Sequence, residues 1–229
     1  MDSPMDAFLK DTNTIFVSLG FNCFTKKFID HKVGPKETHF FDYIGTSMWA
    51  INDIIQSDFE RDLFNKDDYL NLEIFSFMHL ITNKKYYLRF QHDLTTDSVQ
   101  DTAKWDEFVN KYTRRSKRFV ELLNNADKNN NRIVFVRLQE FSGRIKYDEY
   151  KEHNDSEIDQ IVKFYNIIKN KYTNIDVKIV LFTTDNIVSG NDDILVALYN
   201  KRISYHNSEK VLYESLERAL VSSKNFIKQ

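Results

Sequence analysis

The chain has 229 residues, a formal net charge of −2 and 41% hydrophobic residues, which is enough apolar material for a substantial buried core. The near-neutral charge excludes a strongly electropositive surface overall and argues against a nucleic acid partner. A single cysteine, Cys23, excludes an internal disulfide and a zinc site built from several cysteines. No signal-like segment and no apolar window of roughly 18 residues is present, so we expect a cytoplasmic protein in a reducing compartment with no membrane partner.

A strand, a tight turn and a helix are predicted near the start of the chain. Residues 14–19 form a short apolar run that ends at Gly20, which is typical of a buried strand. The helix that follows places Cys23 in its first turn. A helix N-terminus stabilises the thiolate, the reactive form of cysteine, so Cys23 is a candidate nucleophile. The alternative is that Cys23 is a small apolar side chain packed in the core.

The next segment predicts a helix that begins at Thr46, followed by a short helix and a loop within residues 60–84. Residues Lys85–Gln91 are predicted to form a strand that ends at His92 and Asp93.

Residues 94–102 are predicted to be a loop, and Thr102–Asn124 has the clearest amphipathic pattern of the chain. The basic stretch Lys111–Arg118 lies within this helix. It is either the solvated face of the helix or a surface that contacts phosphate or a nucleic acid.

The C-terminal half alternates strands and helices, with an irregular polar segment at residues 139–153. The elements predicted there are a buried strand at Ile133–Leu138, a helix opened by Asn154 and Glu157 that extends to Tyr172, a buried strand at Val177–Phe182, a short helix or helix end at Ile194–Tyr199, a short strand at Ile203–Tyr205 and a helix capped by Asn207 or Ser208.

Strands alternate with helices along the chain, and the three clearest strands are continuously apolar, which is typical of a parallel sheet covered on both faces. We therefore predict an α/β fold, a three-layer Rossmann-like or esterase-like, mainly parallel sheet within one domain that spans residues 1–229. The strands at Ile133–Leu138 and Val177–Phe182 are expected to be parallel neighbours or near-neighbours joined by the helix between them in a right-handed crossover.

Ligands of open α/β sheets bind at the carboxyl ends of the strands, so the polar residues at these ends are the candidate site. They are Ser18, Gly20, Asn22, Cys23, His92, Asp93, Arg137, Asp185 and His206. Asn22 is a candidate donor to an oxyanion. His92 is the candidate base, oriented by Asp93 or by Asp42, and His206 with Asp185 is the rival pair.

Arg137 ends an apolar strand, where a charge must be paired or must contact a ligand. Asp42, Asp93 and Asp185 are the candidate partners, and contact of Arg137 and Asp185 with substrate is the alternative use. The remaining histidines have no supporting context and are expected to be surface or structural residues: His31, His39, His79 and His153. No phosphate-binding glycine loop and no His-Glu-x-x-His motif occurs, so we expect no cofactor and no metal.

Several short motifs in a fixed order resemble a family of bacterial and large-DNA-virus proteins labelled putative papain-like cysteine peptidases. The segments that carry the resemblance are Ser18–Cys23 (family Ser-Leu-Gly-x-x-Cys), Phe40–Ile44 (Pro-Phe-Asp-Trp), Asp58-Phe59 (Asn-Asp-Phe), Phe90–Asp93 (Phe-x-His-Asp), Arg115–Phe119 and Phe135–Arg137. The resemblance implies a Cys nucleophile and a His base, at Cys23 and His92. Phe40 replaces the proline of the family pattern and Tyr43 replaces its tryptophan. The strand and helix alternation favours the α/β sheet over a papain fold.

These patterns predict a thiol-dependent hydrolase or acyl-transfer enzyme that uses a Cys nucleophile and a His base on a small-molecule, glycan or peptide substrate. One alternative is a glycan- or sugar-modifying transferase that forms no covalent intermediate. Another is a non-catalytic viral or effector-type binding protein with Cys23 in the core. The oligomeric state is left open.

Overall fold

The computed structural model describes residues 4–21, 23–60, 62–75, 78–126, 128–139, 156–199, 207–223 and 226. Helices alternate with strands over most of this length. In chain order the elements are α1 (Pro4–Lys10), β1 (Thr14–Ser18), α2 (Cys23–Lys32), α3 (Met48–Gln56), a 3-10 turn (Lys66–Asp68), β2 (Tyr69–Phe75), β3 (Met78–Asn83), α4 (Thr96–Gln100), α5 (Thr102–Ala126), β4 (Arg132–Leu138), α6 (Glu157–Lys171), β5 (Asp176–Thr183), β6 (Ile194–Leu198) and α7 (Ser208–Ser222).

The main sheet is parallel, in the order β1-β4-β5-β6. β4 and β5 are direct neighbours, with Ile133 opposite Val177, and α6 connects them, as the apolar runs predicted. The carboxyl ends of β1, β4 and β5 therefore lie along one edge of the sheet. This arrangement confirms the predicted α/β fold with a parallel sheet.

Two apolar layers cover the sheet because successive side chains of a strand point to opposite faces. Ile133 and Phe135 of β4 pack into one cluster with residues of α3, α5 and α6. Val134 and Val136 pack into the other cluster with residues of α1, α2 and α7. The continuous hydrophobicity of β4 thus reflects burial on both faces.

The predicted strand at Lys85–Gln91 is wrong. Its only ladder contacts in the described chain are isolated antiparallel bridges of Arg89 to Gly45 and to Thr82. Asn83 ends β3 and its Oδ1 accepts the N–H groups of Lys85 and Tyr86 at 3.0 and 2.9 Å, so the chain turns there. The alternating apolar residues of this segment are buried without forming a strand.

Residues 60–84, predicted as a short helix and a loop, contain the antiparallel hairpin β2–β3, and the predicted loop at 94–102 contains α4. The predicted helix at Ile194–Tyr199 is instead the strand β6, because an apolar run this short fits either period.

α6 begins after Ser156, which forms a capping box with Asp159, rather than with the predicted pair of Asn154 and Glu157. Asn154, His153 and the predicted strand at Ile203–Tyr205 lie outside the described residues. Among the helices that the structure describes, none is both long and apolar enough to cross a membrane.

Candidate active site at the carboxyl end of β1

The turn from β1 into α2 is held by side chains on both of its flanks. Ser18 is completely buried, and its Oγ accepts the N–H of Gly20 at 3.1 Å. Thr25, in the first turn of α2, donates from Oγ1 to the carbonyl of Gly20 at 3.3 Å. Gly20 and Phe21 both have positive φ, 71° and 79°, so the backbone turns sharply before the helix begins.

Cys23 is the first residue of α2, which confirms its predicted position in the first turn, and it is half-buried. Two residues before it, Phe21 adopts a left-handed conformation that is costly for a bulky side chain. Such conformations persist where the surrounding structure enforces them, often beside functional groups.

Gly20 is required because the loop that follows α2 packs against it. A Cβ at Gly20 would lie 2.8 Å from Thr46 Cγ2, 3.0 Å from the carbonyl oxygen of Ile44 and 3.1 Å from that of Phe41. Two of these neighbours are backbone atoms, which cannot move aside cheaply. The close contact fixes the loop at residues 39–46 over the turn between β1 and α2. This turn leads into Cys23 and is called the Cys23 turn below.

Gly20→Ala is expected to destabilise the protein more than Gly34→Ala. Both glycines have positive φ, but a Cβ at Gly34 would meet no atom within 4 Å. Gly34→Ala therefore costs only backbone strain of about 1 kcal/mol, and Gly20→Ala adds about 1–3 kcal/mol of overpacking. Urea unfolding measures both free energies, and equal losses would contradict the close contact at Gly20.

Arg137, at the end of β4, is 2% exposed and joins three parts of this region. Its Nε donates to Glu157 Oε1 at 2.7 Å, and its Nη1 donates to the carbonyl oxygens of Leu19 and Thr46, each at 2.9 Å. The expectation of a carboxylate partner is confirmed, but the partner is Glu157 in the first turn of α6 instead of Asp42, Asp93 or Asp185. These bonds hold the end of β1 against the start of α3.

Arg89 is a residue of this region that sequence reasoning missed. Its backbone N–H and carbonyl both bond to Gly45, at 2.9 and 3.0 Å, and its guanidinium lies 6.0 Å from the ring centroid of Phe21. The guanidinium of Arg137 lies 5.8 Å from the same centroid. A charged residue between the buried Leu88 and Phe90 was the available signal.

His92 is exposed, and its ring meets the ring of Tyr43 edge-on at 6.3 Å between centroids. Tyr43 belongs to the loop that covers Gly20, and its hydroxyl donates to Asp30 Oδ2 at 2.9 Å. Burial and this hydrogen bond raise the pKa of Tyr43 to about 12. The loop at residues 39–46 thus contacts both the Cys23 turn and the segment that carries Arg89 and His92.

Asp42 belongs to this loop, is buried and faces Lys26 of α2. Its Oδ2 accepts the N–H of His39 at 2.9 Å and lies 3.7 Å from Lys26 Nζ, whereas its buried Oδ1 has no hydrogen-bond partner among the described residues. Burial raises the pKa of Asp42 to about 6, against the opposing charge of Lys26. Lys26 also bonds Asp30 at 2.8 Å.

Asp93 turns toward α5 and is bound there. It accepts hydrogen bonds from Lys111 and from Tyr112 Oη, the latter at 2.6 Å, and lies 3.8 Å from Arg115 Nη1. Burial favours the neutral acid, but these hydrogen bonds hold the pKa of Asp93 below its ordinary value. Part of the basic stretch on α5 therefore binds this carboxylate instead of facing solvent, and Arg118 donates to the carbonyl of Thr38 at 2.9 Å.

Asp185 is exposed at the end of β5, and its Oδ2 accepts from Gln139 Nε2 at 2.7 Å. Asn22 and His206, the other two predicted site residues, lie outside the described residues.

The predicted catalytic residues do not form a preassembled triad. In the part of the chain that the structure describes, no hydrogen bond links Cys23 to His92 or Asp42, and no carboxylate hydrogen-bonds the His92 ring. Apo sites often tighten only when substrate binds. The described residues also contain no group of three or more His, Cys, Asp or Glu side chains arranged to hold a metal ion.

Comparison with known proteins gives one family match. Residues 14–186 match the model of a family described as "putative papain-like cysteine peptidase", which is the description of a Cys-dependent hydrolase. The match covers both β1 with the Cys23 turn and the segment with Arg89 and His92. No curated protein and no solved structure matches the chain.

Proposed function

Since the chain belongs to the putative papain-like cysteine peptidase family, we propose that it is a thiol-dependent hydrolase or acyl-transfer enzyme whose nucleophile is Cys23. The observation that carries the proposal is the position of Cys23 at the first residue of α2, immediately after the left-handed turn at Gly20 and Phe21. The preceding turn presents the Cys23 side chain at the carboxyl edge of a parallel sheet, where ligands of such folds bind, and at a helix N-terminus, an end that favours bound anions.

His92 is the proposed base, because the loop that packs on Gly20 also contacts the His92 ring through Tyr43. In the reaction, the Cys23 thiolate attacks the acyl carbon and forms a thioester, while the leaving amine or alkoxide takes a proton from the His92 imidazolium. Neutral His92 then removes a proton from water, which attacks the thioester and releases the acid and the thiolate. A second acceptor in place of water gives acyl transfer.

The supporting residues divide between positioning and binding. Arg137 acts as a positioning residue, because its bonds to Leu19 and Thr46 fix the backbone on either side of the site. Asp42 fixes the loop that bears Tyr43 through the N–H of His39. Asn22 remains our candidate donor to the oxyanion, since its amide directly precedes the nucleophile in sequence. Asp185 is proposed to contact polar substrate groups from the end of β5.

The test uses the single cysteine, because every thiol label in the chain reports on Cys23. We expect native protein near neutral pH to react with iodoacetamide faster than a small thiol does, and to form an acyl adduct with activated peptide esters in intact-mass spectra. Cys23→Ser should form no adduct. Labelling that requires denaturation would contradict the proposal and favour a non-covalent transferase or a binding protein.

The role of His92 is tested with a matched histidine. His92→Asn should lower the rate of ester turnover about 10²–10⁴-fold, the usual contribution of a general base. His31→Asn removes another exposed histidine, which pairs with Glu209 at 2.6 Å on the far part of α2, and should leave the rate unchanged. Equal rates for His92→Asn and the unmodified protein would show that another group is the base.

A further inference from the structure

We propose that Arg89 is the specificity residue of this site and binds a carboxylate group of the acyl substrate next to Cys23. The inference rests on the proposed nucleophile, and it names a substrate class, carboxylate-bearing acyl compounds such as acidic peptides. The carboxylate can come from an Asp or Glu side chain or from a chain terminus, and the experiment separates the two sources.

The position of Arg89 is fixed by its backbone. Both of its main-chain polar groups bond to Gly45, at 2.9 and 3.0 Å, in an antiparallel bridge. Its guanidinium lies directly over Gly45, where a Cβ would be 2.5 Å from Arg89 Nε. The absence of a side chain at Gly45 therefore lets the guanidinium reach the Cys23 turn.

The guanidinium of Arg89 has no counter-ion among the described residues. Two other arginines, the half-buried Arg132 and the buried Arg137, each bond a carboxylate from Nε at 2.7 Å. Arg89 instead faces the ring of Phe21, two residues before Cys23, with its centroid at 6.0 Å. Stacking on a ring leaves the edge of a guanidinium free to donate two parallel hydrogen bonds to a carboxylate.

The surroundings of Arg89 favour an anion more than a neutral ligand. Arg137 approaches the same ring of Phe21 at 5.8 Å, and Cys23 begins a helix of ten residues whose N-terminus carries a partial positive charge. Arg89 is half-buried, so a ligand can reach it while part of the competing water is excluded. Arg89 faces Phe21, two residues before Cys23, so a carboxylate bound by Arg89 would hold the substrate near the proposed nucleophile. The carbon that Cys23 attacks is the acyl carbon elsewhere in the same substrate.

The experiment compares two alkylating reagents of the same size, iodoacetate and iodoacetamide. We expect the iodoacetate-to-iodoacetamide rate ratio at Cys23 to exceed that of a neutral small thiol about fivefold, which is the size of one exposed ion pair. Arg89→Gln should remove this excess. Arg114→Gln, at an exposed position of α5, removes the same charge and should retain the excess.

A ratio equal to that of the small thiol, or an unchanged ratio in folded Arg89→Gln, would overturn the role of Arg89. If Arg89→Gln does not fold, the unmodified protein still decides, because the excess should decline as salt rises from 0.05 to about 0.5 M and screens the ion pair. A salt-independent ratio would contradict the proposal.

Protection of Cys23 from iodoacetamide identifies the source of the carboxylate. N-acetylglutamic acid α-amide offers only a side-chain carboxylate, N-acetylglutamine offers only a terminal one, and N-acetylglutamine amide offers neither. One of the first two should protect at lower concentration than the neutral compound, and equal protection by all three would contradict the proposal. Slow iodoacetamide labelling with Arg89-dependent protection would instead refute the nucleophile and leave the carboxylate site standing.

Discussion

Replacing Arg137 with Met is expected to lower the free energy of unfolding by about 3–5 kcal/mol. The substitution leaves the Glu157 carboxylate without its cation and removes the donor from the carbonyls of Leu19 and Thr46. Arg137 is 2% exposed, so water cannot replace these bonds without opening the structure. Removal of one partner from a largely buried charge pair is costly, and here two carbonyls also lose their donor while the Glu157 carboxylate, 20% exposed, is only partly solvated.

Arg132→Met is the matched control on the same strand. Arg132 bonds Asp176 from Nε at the same 2.7 Å, but Asp176 is 40% exposed and water can solvate it after the change. We expect a loss of at most about 1 kcal/mol. Urea unfolding of the two variants measures the difference, and comparable losses would show that Arg137 does not hold the β1–α2 turn and the start of α3 together.

Glu157→Gln separates the ion pair from the carbonyl bonds. An amide oxygen can still accept from Arg137 Nε, so the variant should lose less stability than Arg137→Met. The iodoacetamide rate at Cys23 should change more in Arg137→Met, because only that variant frees the carbonyl of Leu19 next to the turn. A larger loss in Glu157→Gln would mean that the charge pair outweighs the links to β1 and α3.

The parts of the fold that the sequence predicted are those set by local patterns. Apolar runs at β1, β4 and β5 gave the parallel sheet, since strands buried on both faces must be apolar throughout. Gly20 before an amphipathic segment gave the turn and placed Cys23 at the first residue of α2. Both conclusions need only neighbours along the chain.

The parts that were missed depend on contacts between distant segments. Arg89 is placed by Gly45 and Phe21, and Arg137 is paired with Glu157, whose position depends on where α6 begins. Hydrophobic alternation in residues 85–91 suggested a strand, although those side chains are buried by packing and the backbone is turned by Asn83. Sequence periodicity reports burial, and it does not report which backbone groups pair.

The free energy of unfolding is expected to depend on pH in opposite ways through two neighbouring buried groups in the loop at residues 39–46, His39 and Asp42. Burial raises the pKa of Asp42 from 3.8 to about 6, with Lys26 and Arg115 opposing and Asp30 adding to the shift. Burial lowers the pKa of His39 from 6.5 to about 4, with Lys26 and Arg118 adding to the shift. Each shift of about two units corresponds to about 3 kcal/mol of stability across its pH window.

The two contributions have opposite signs. Folded Asp42 binds its proton more tightly than the unfolded chain does, so its contribution to stability is present below pH 3.8 and is lost as the pH rises through about 6. Folded His39 binds its proton less tightly, so its contribution is present above pH 6.5 and is lost as the pH falls toward 4. Between pH 4 and 6.5 the two slopes nearly cancel in the unmodified protein.

Single substitutions should therefore reveal slopes that the unmodified protein hides. Between pH 4 and 6.5, the free energy of unfolding of Asp42→Asn should rise by about 3 kcal/mol relative to the unmodified protein as the pH rises, because only His39 still titrates. The free energy of unfolding of His39→Gln should rise by about the same amount as the pH falls, because only Asp42 then titrates. Differences from the unmodified protein cancel the titration of all other groups, and urea midpoints at several pH values measure them.

Asp192→Asn, which removes a carboxylate at an exposed position, is the control for formal charge alone. Parallel pH profiles for all three variants would contradict the burial of both groups. The prediction also concerns the proposed active site, because Asp42 and His39 belong to the loop that packs on Gly20 and contacts His92 through Tyr43. A loop whose two buried groups offset each other keeps its stability over this pH range, so we expect the Tyr43 contact with the His92 ring to persist across it.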